Sequence, residues 1–145
     1  MNLRPFKSVL VANRGEIALR VIEVAKARGL TTIAVHSDAD TDMPFVRAAD
    51  KSVRLGPAPA AQSYLNAEAV LDAAERTGAD AIHPGYGFLS ENAAFARAVI
   101  AAGRVWIGPP PDAIEAMGDK ARAKALMLEA DVPCLPGWQG DDQSA

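Results

Sequence analysis

Ten consecutive residues, His83-Pro84-Gly85-Tyr86-Gly87-Phe88-Leu89-Ser90-Glu91-Asn92, hold the densest set of groups in this chain that could do chemistry. Two glycines flank a tyrosine, so backbone can approach a ligand closely while an aromatic face stays free to pack on it. His83 can hydrogen-bond or carry a proton near neutral pH. The competing expectation is a tight structural turn with His83 bonded to backbone. A second group, Asp119-Lys120-Ala121-Arg122-Ala123-Lys124, crowds three cations into the first turns of an expected helix. The helix dipole already places partial positive charge there, and Lys120 and Lys124 are like charges at i, i+4. A bound phosphate would relieve both penalties. The alternative is a solvated basic face screened by Asp119 and Glu115.

Other patterns lead to less. Asn13-Arg14-Gly15 follows an apolar run, as a dinucleotide-binding loop does, with Asp38 ending the next run. Ile17 and Arg20 stand where the second and third glycines of that fingerprint belong, so the signal is weak. Asp38, Asp40 and Asp42 begin like a calcium loop, but Met43 at its sixth position and Ala49 at its twelfth exclude one. The chain has no P-loop, no H-E-x-x-H and no C-x-x-C pair, and Ser90, after Gly-Phe-Leu, lacks a nucleophile elbow. Arg14, Arg20 and Arg28 read as a solvated helix face, with Glu16 placed to pair with Arg20. Trp106 reads as core, and Cys134 as a packed small hydrophobe.

The elements that must position these groups alternate. Short apolar runs at 8–12, 31–36, 51–55, 79–82 and 104–107 read as strands. Between them lie helical patterns. One runs from the Asn13-Arg14-Gly15 loop to about Arg28, with Ala18, Val21, Ile22 and Ala25 on one face. A second starts at an Asn66 cap, with Ala67, Val70, Leu71 and Ala74 inward. A third is expected from a Ser90 cap, with Phe95, Ala98, Val99 and Ala102 as its core face. A short helix near 112–117 and a longer one over 119–130 follow, and residues 132–145 are turn-rich. Alternation of this kind implies an open, doubly wound parallel sheet of the α/β class. Ligands bind such sheets beyond the carboxyl ends of the strands. The loops at 13–16, 36–38, 83–92 and 108–109 are therefore expected on one edge.

Composition sets the outer limits. The 145 residues are 50% hydrophobic and 23% charged, enough for one domain with a core. With 15 Lys+Arg against 18 Asp+Glu the net charge is -3, which offers no basic field for nucleic acid. No apolar run is long enough to span a bilayer, the N-terminus lacks a signal-peptide core, and a single cysteine cannot form an internal disulfide.

Several segments occur in order: 11–18 (Val-Ala-Asn-Arg-Gly-Glu-Ile-Ala), Ala34-Val35-His36-Ser37, Gly56-Pro57-Ala58, Ser63-Tyr64-Leu65-Asn66, 83–92, Ile107-Gly108-Pro109 and Met117-Gly118-Asp119-Lys120. Together they resemble the N-terminal part of biotin carboxylase, over about residues 6–137. The ending from Pro136 to Ser144 is similar to the methylcrotonyl-CoA and geranyl-CoA carboxylase branch. The resemblance implies a Rossmann-like domain over residues 1–117 that precedes an ATP-grasp region, whose first helix falls in 118–145. It also implies ATP- and bicarbonate-dependent carboxylation of biotin on a carrier domain, for a carboxyltransferase subunit to use. Carried over by motif, Lys120 touches the ATP phosphates. Tyr86 and Gly87 border the biotin and bicarbonate pocket, His83 and Glu91 support that loop, and Arg20 lies near a homodimer surface.

The family's glycine-rich lid, its magnesium-holding carboxylates and its bicarbonate-binding basic residues have no counterpart in these residues. The expectation is thus no catalytic residue, no metal ligand and no turnover in the isolated chain. The alternative is a non-catalytic nucleotide-binding or dimerisation module on the same fold. The absent transit peptide favours a bacterial cytoplasm over a mitochondrial matrix.

Overall fold

The first strand, β1 (Ser8–Val11), shows why both faces of the sheet are covered. Successive side chains of a strand point to opposite faces, and all of Val9, Leu10 and Val11 are buried. Leu10 joins a core with Ile33, Val35, Ile82, Val70, Phe95 and Val99. Val11 joins the other, with Ala18, Ile22, Ala34 and Phe45. Strands covered on both faces belong in parallel sheets, as the continuous apolar runs predict.

This computed structural model describes residues 6–135. After β1 come α1 (Gly15–Ala27), β2 (Thr31–Ser37), α2 (Pro44–Ala48) and β3 (Lys51–Gly56). Then follow α3 (Ala67–Thr77), β4 (Ala81–His83), α4 (Ala93–Ala101) and β5 (Val105–Trp106). Two helices, α5 (Pro111–Gly118) and α6 (Lys120–Glu129), complete the described part. All pairings are parallel, in the order β3-β2-β1-β4-β5. The order reverses direction between β1 and β4, which is where open α/β sheets form their ligand crevice. Both the fold class and the strand alternation agree with the sequence reading.

Three local expectations need correction. The cap of α4 is Asn92, whose Oδ1 accepts from the Phe95 N–H at 2.9 Å, and not Ser90. The buried face of α4 is Phe95, Ala96 and Val99, while Ala102 is exposed, because the helix ends at Ala101 and Ala102 is its C-cap, past the last turn that packs on the sheet. The five-residue α2 was not anticipated. It is too short for a 3.6-residue period to register, yet its Phe45 is 1% exposed and completes the core beneath α1.

Candidate functional site at the β1–β4 switch point

The loops after β1 and β4 meet through one buried side chain. Asn13, 2% exposed, donates from Nδ2 to the carbonyls of Pro84 at 2.7 Å and Tyr86 at 2.8 Å. Its Oδ1 accepts from the Arg14 N–H at 2.9 Å, so the amide is used on both sides. Close approach requires a missing side chain opposite. A Cβ on Gly85 would come within 2.6 Å of Asn13 Nδ2, and Gly85 has φ +66. Only glycine satisfies both conditions without cost.

A groove of about 350 Å³ opens between these loops, lined by Asn13, Arg14, Gly15, Glu16, Ile17, Tyr86, Gly87 and Phe88. Tyr86 is 66% exposed, so its ring is offered to solvent rather than to the core. Phe88 is held at φ +45, a backbone region that costs a non-glycine residue about 1–3 kcal/mol. Such strain persists only where surrounding contacts enforce it, and here the Phe88 ring lies 5.2 Å from that of Tyr64.

Behind the groove sits an acid that the sequence reading passed over. Asp40, 1% exposed, accepts from Arg14 Nε at 2.7 Å and from Arg14 Nη2 at 2.6 Å. It also accepts from the Tyr64 hydroxyl at 2.6 Å and the Ser37 hydroxyl at 3.4 Å. The Arg14 bonds, more than any other contact, hold the Asp40 carboxyl below the usual carboxylate range. Burial, with the bond to Asp40 second, pushes the Tyr64 hydroxyl up to about 12, so it stays a neutral donor. Arg14 therefore does not belong to a solvated helix face. Its signal in the sequence was weak, since its partner lies 26 residues away.

The other expected residues distribute around this center. His83 is the last residue of β4, and its Nδ1 accepts from the Gly85 N–H at 3.0 Å, which assigns the ring proton to Nε2. Burial lowers the His83 pKa, keeping the ring neutral. His83 thus braces the loop, while its ring lines a different groove. That groove, about 430 Å³, is apolar and runs along α1, lined among others by Ile17, Arg20, Val21, Val24 and Ile107. Arg20 is exposed there and does not pair with Glu16. Glu91 and Ser90 line a third cavity of about 350 Å³ against Pro109, Ile114 and Met117.

Lys120 begins α6, directly after Asp119, whose Oδ1 caps the helix by accepting from the Ala121 and Arg122 N–H groups at 2.8 and 3.0 Å. The position of the Lys120 side chain lies outside the description. Asp38, which ends the second apolar run in the weak dinucleotide pattern, is held by Arg54 Nε at 2.6 Å and Nη2 at 2.8 Å. Trp106 is half-buried, edge-on to Phe95, and donates to the Pro109 carbonyl. The Cys134 thiol is half-buried and bonds the Val132 carbonyl at 3.4 Å. Among the described residues no cluster of three or more His, Cys, Asp or Glu could hold a metal ion. Among the described residues no helix is long and apolar enough to cross a membrane. The segment 136–144, read above as indicating a carboxylase branch, lies outside the described residues.

Comparison with known proteins adds to this geometry. The family described as biotin carboxylase, N-terminal domain, matches residues 5–114. The alpha subunit of mitochondrial methylcrotonoyl-CoA carboxylase from Oryza sativa subsp. japonica is 60% identical over 137 residues, covering 94% of this chain and 19% of that protein. A biotin carboxylase of Allochromatium vinosum is 57% identical over 134 residues, covering 92% of this chain and 30% of its own length. This chain therefore spans less than a third of the curated relatives it matches. Among solved structures, the biotin carboxylase domain dimer of Hydrogenobacter thermophilus 2-oxoglutarate carboxylase, in complex with MgADP, ADP and bicarbonate, superposes with a TM-score of 0.90. It is 48% identical, with 95% of this chain and 30% of that one covered.

Proposed function

This chain belongs to the biotin carboxylase N-terminal domain family, and from that membership we propose that it serves as the leading segment of an ATP- and bicarbonate-dependent biotin carboxylase within an acyl-CoA carboxylase. The observation that carries the reading is the groove at the β1–β4 switch point, where Tyr86 and Gly87 face the Asn13–Ile17 loop. Biotin, presented by a carrier domain, supplies the ureido nitrogen that accepts the carboxyl group. Tyr86 offers its exposed ring face to that ligand, and Gly87 leaves the backbone uncovered beside it. Asn13 keeps the loop in place from below. Neutral His83 supports Gly85 without adding charge, and Glu91 lines the neighbouring cavity that α5 borders.

Lys120 contributes a positive charge at the start of α6, where nucleotide phosphates gain from both the ammonium and the helix dipole. Residues 1–117 form the Rossmann-like unit, and 118–145 begin the ATP-grasp region. In support, no residue of α6 whose side chain is described is buried, and Leu126, Leu128 and Val132 are exposed, as expected of a helix that needs further chain to cover it. Magnesium ligands and the groups that stabilise transferring phosphoryl lie in that further chain. The apolar groove along α1, with Arg20 at its rim, supports a homodimer contact, and a carboxyltransferase subunit consumes the product.

Two measurements test this. In the enzyme that carries this chain, Lys120→Ala is expected to raise the KM for ATP more than that for biotin, and an unchanged ATP dependence would remove Lys120 from the site. The purified 145-residue chain is expected to release no ADP in response to bicarbonate, and bicarbonate-dependent ADP release would overturn its assignment as an incomplete catalytic unit.

A further inference from the structure

The Tyr86 loop is fastened on both sides of its tyrosine. Ahead of it, Asn13 holds the Pro84 and Tyr86 carbonyls. Behind it, the ring of strained Phe88 rests against Tyr64 at 5.2 Å. Tyr64 is itself fixed, because its hydroxyl donates to Asp40 Oδ2 at 2.6 Å and accepts from the Ser37 N–H at 3.1 Å. Asp40 also grips Arg14 through both carboxylate oxygens, and the guanidinium carbon lies 5.8 Å over the Tyr64 ring. One buried carboxylate thus reaches both walls of the groove: the Arg14 wall directly, and the Phe88 wall through Tyr64.

We propose that Asp40 is a positioning residue that sets the opening of this groove by holding Arg14 on one wall and, through Tyr64, Phe88 on the other. Asp40 does not line the groove, so it acts entirely through those two side chains. Three features favor this over a role in folding alone. Two of the Asp40 partners, Arg14 and Tyr64, come from the loop after β1 and the segment before α3, which no backbone ladder joins at this edge, while the third, Ser37, ends β2. All donors reaching Asp40 are side chains. The residue at the end of the chain of contacts, Phe88, is the one whose backbone would relax if released.

The test is amide hydrogen exchange on the full chain with Asp40→Asn and Tyr64→Phe. The Gly85 and Ser90 amides, bonded to His83 Nδ1 and to the Gly87 carbonyl, report the loop. Their exchange is expected to quicken about tenfold in Asp40→Asn and about threefold in Tyr64→Phe, with sheet amides such as Leu10 and Ile82 within about twofold. Equal acceleration of loop and sheet, or none in the loop, overturns the proposal. Tyr64→Phe keeps the ring that packs on Phe88, so it decides the matter even if Asp40→Asn fails to fold.

The ligand side of this proposal rests on the assignment of the groove to biotin. In the enzyme carrying this chain, Tyr64→Phe is expected to raise the biotin KM about fivefold with the ATP KM within about twofold. A loosened loop with an unmoved biotin KM supports the positioning role and overturns the ligand assignment instead.

Discussion

The two edges of the sheet are stitched in opposite ways. At the amino-terminal edge, Asp80 accepts from the Lys7 and Ser8 N–H groups and the Ser8 hydroxyl at 2.9–3.0 Å. Asp50 likewise accepts from the N–H and hydroxyl of Thr32. These are carboxylates clipping the backbone of a neighbouring strand. At the carboxyl-terminal edge, Asp40 takes only side-chain donors, from Arg14, Tyr64 and Ser37. Backbone clips fix strand ends and leave nothing over for a ligand. Side-chain clips fix the walls of a groove while leaving loop backbone available to whatever enters. In the proposed function, the difference separates an edge that serves folding from one that serves binding.

The largest effect expected on this contrast comes from Gly85→Ala. A Cβ there meets Asn13 in a left-handed backbone conformation, and the two penalties together cost about 3 kcal/mol. Urea unfolding checks this, and a loss within error of zero would mean that the loop can move away from Asn13. Next comes Asp40→Ala, which strands the Tyr64 hydroxyl and a half-exposed Arg14 and is expected to cost about 2 kcal/mol. Asp80→Ala at the opposite edge is expected to cost about 1 kcal/mol and to leave exchange of the Gly85 and Ser90 amides unchanged. If it loosened them, the two edges would not be independent.

The smallest effects appear in the pH dependence of stability. Burial holds the folded His83 pKa below its unfolded value near 6.5. Below that value the unfolded chain binds the proton first, so stability falls as pH drops through the range beneath about 6.5. His83→Gln should flatten this limb in thermal melts. Asp40 gives a second limb further down. Its folded pKa is depressed, so its contribution is complete above the unfolded value near 4 and is lost as pH falls below it, a loss that Asp40→Asn abolishes.

Much of the fold was legible because its signals are local. Alternation of apolar runs with 3.6-residue stripes located the five strands of the described residues and every helix but the short α2, and Asn66 could be read as a cap from its neighbours alone. The α4 start was misplaced because Ser90 and Asn92 are both good cap residues two positions apart, and only the Phe95 N–H decides between them. The Tyr86 loop stood out because its glycines and its tyrosine lie side by side in sequence. Asp40 did not, since Arg14 and Tyr64 lie 26 and 24 residues away. Each of these residues also had a sufficient local explanation: helix face, calcium-like run or motif member. Contacts between distant loops carry no periodicity for a sequence reader to detect.

The pairing of Asn13 with a bare Gly85 also limits how this groove could be redesigned. Residue 85 is limited twice, by the volume that Asn13 fills and by its left-handed backbone, while a smaller residue 13 surrenders the amide that carries the loop. A library that randomises the two positions together would separate these limits: a smaller residue 13 frees the volume beside residue 85, and the preference for glycine that survives is the part set by the backbone.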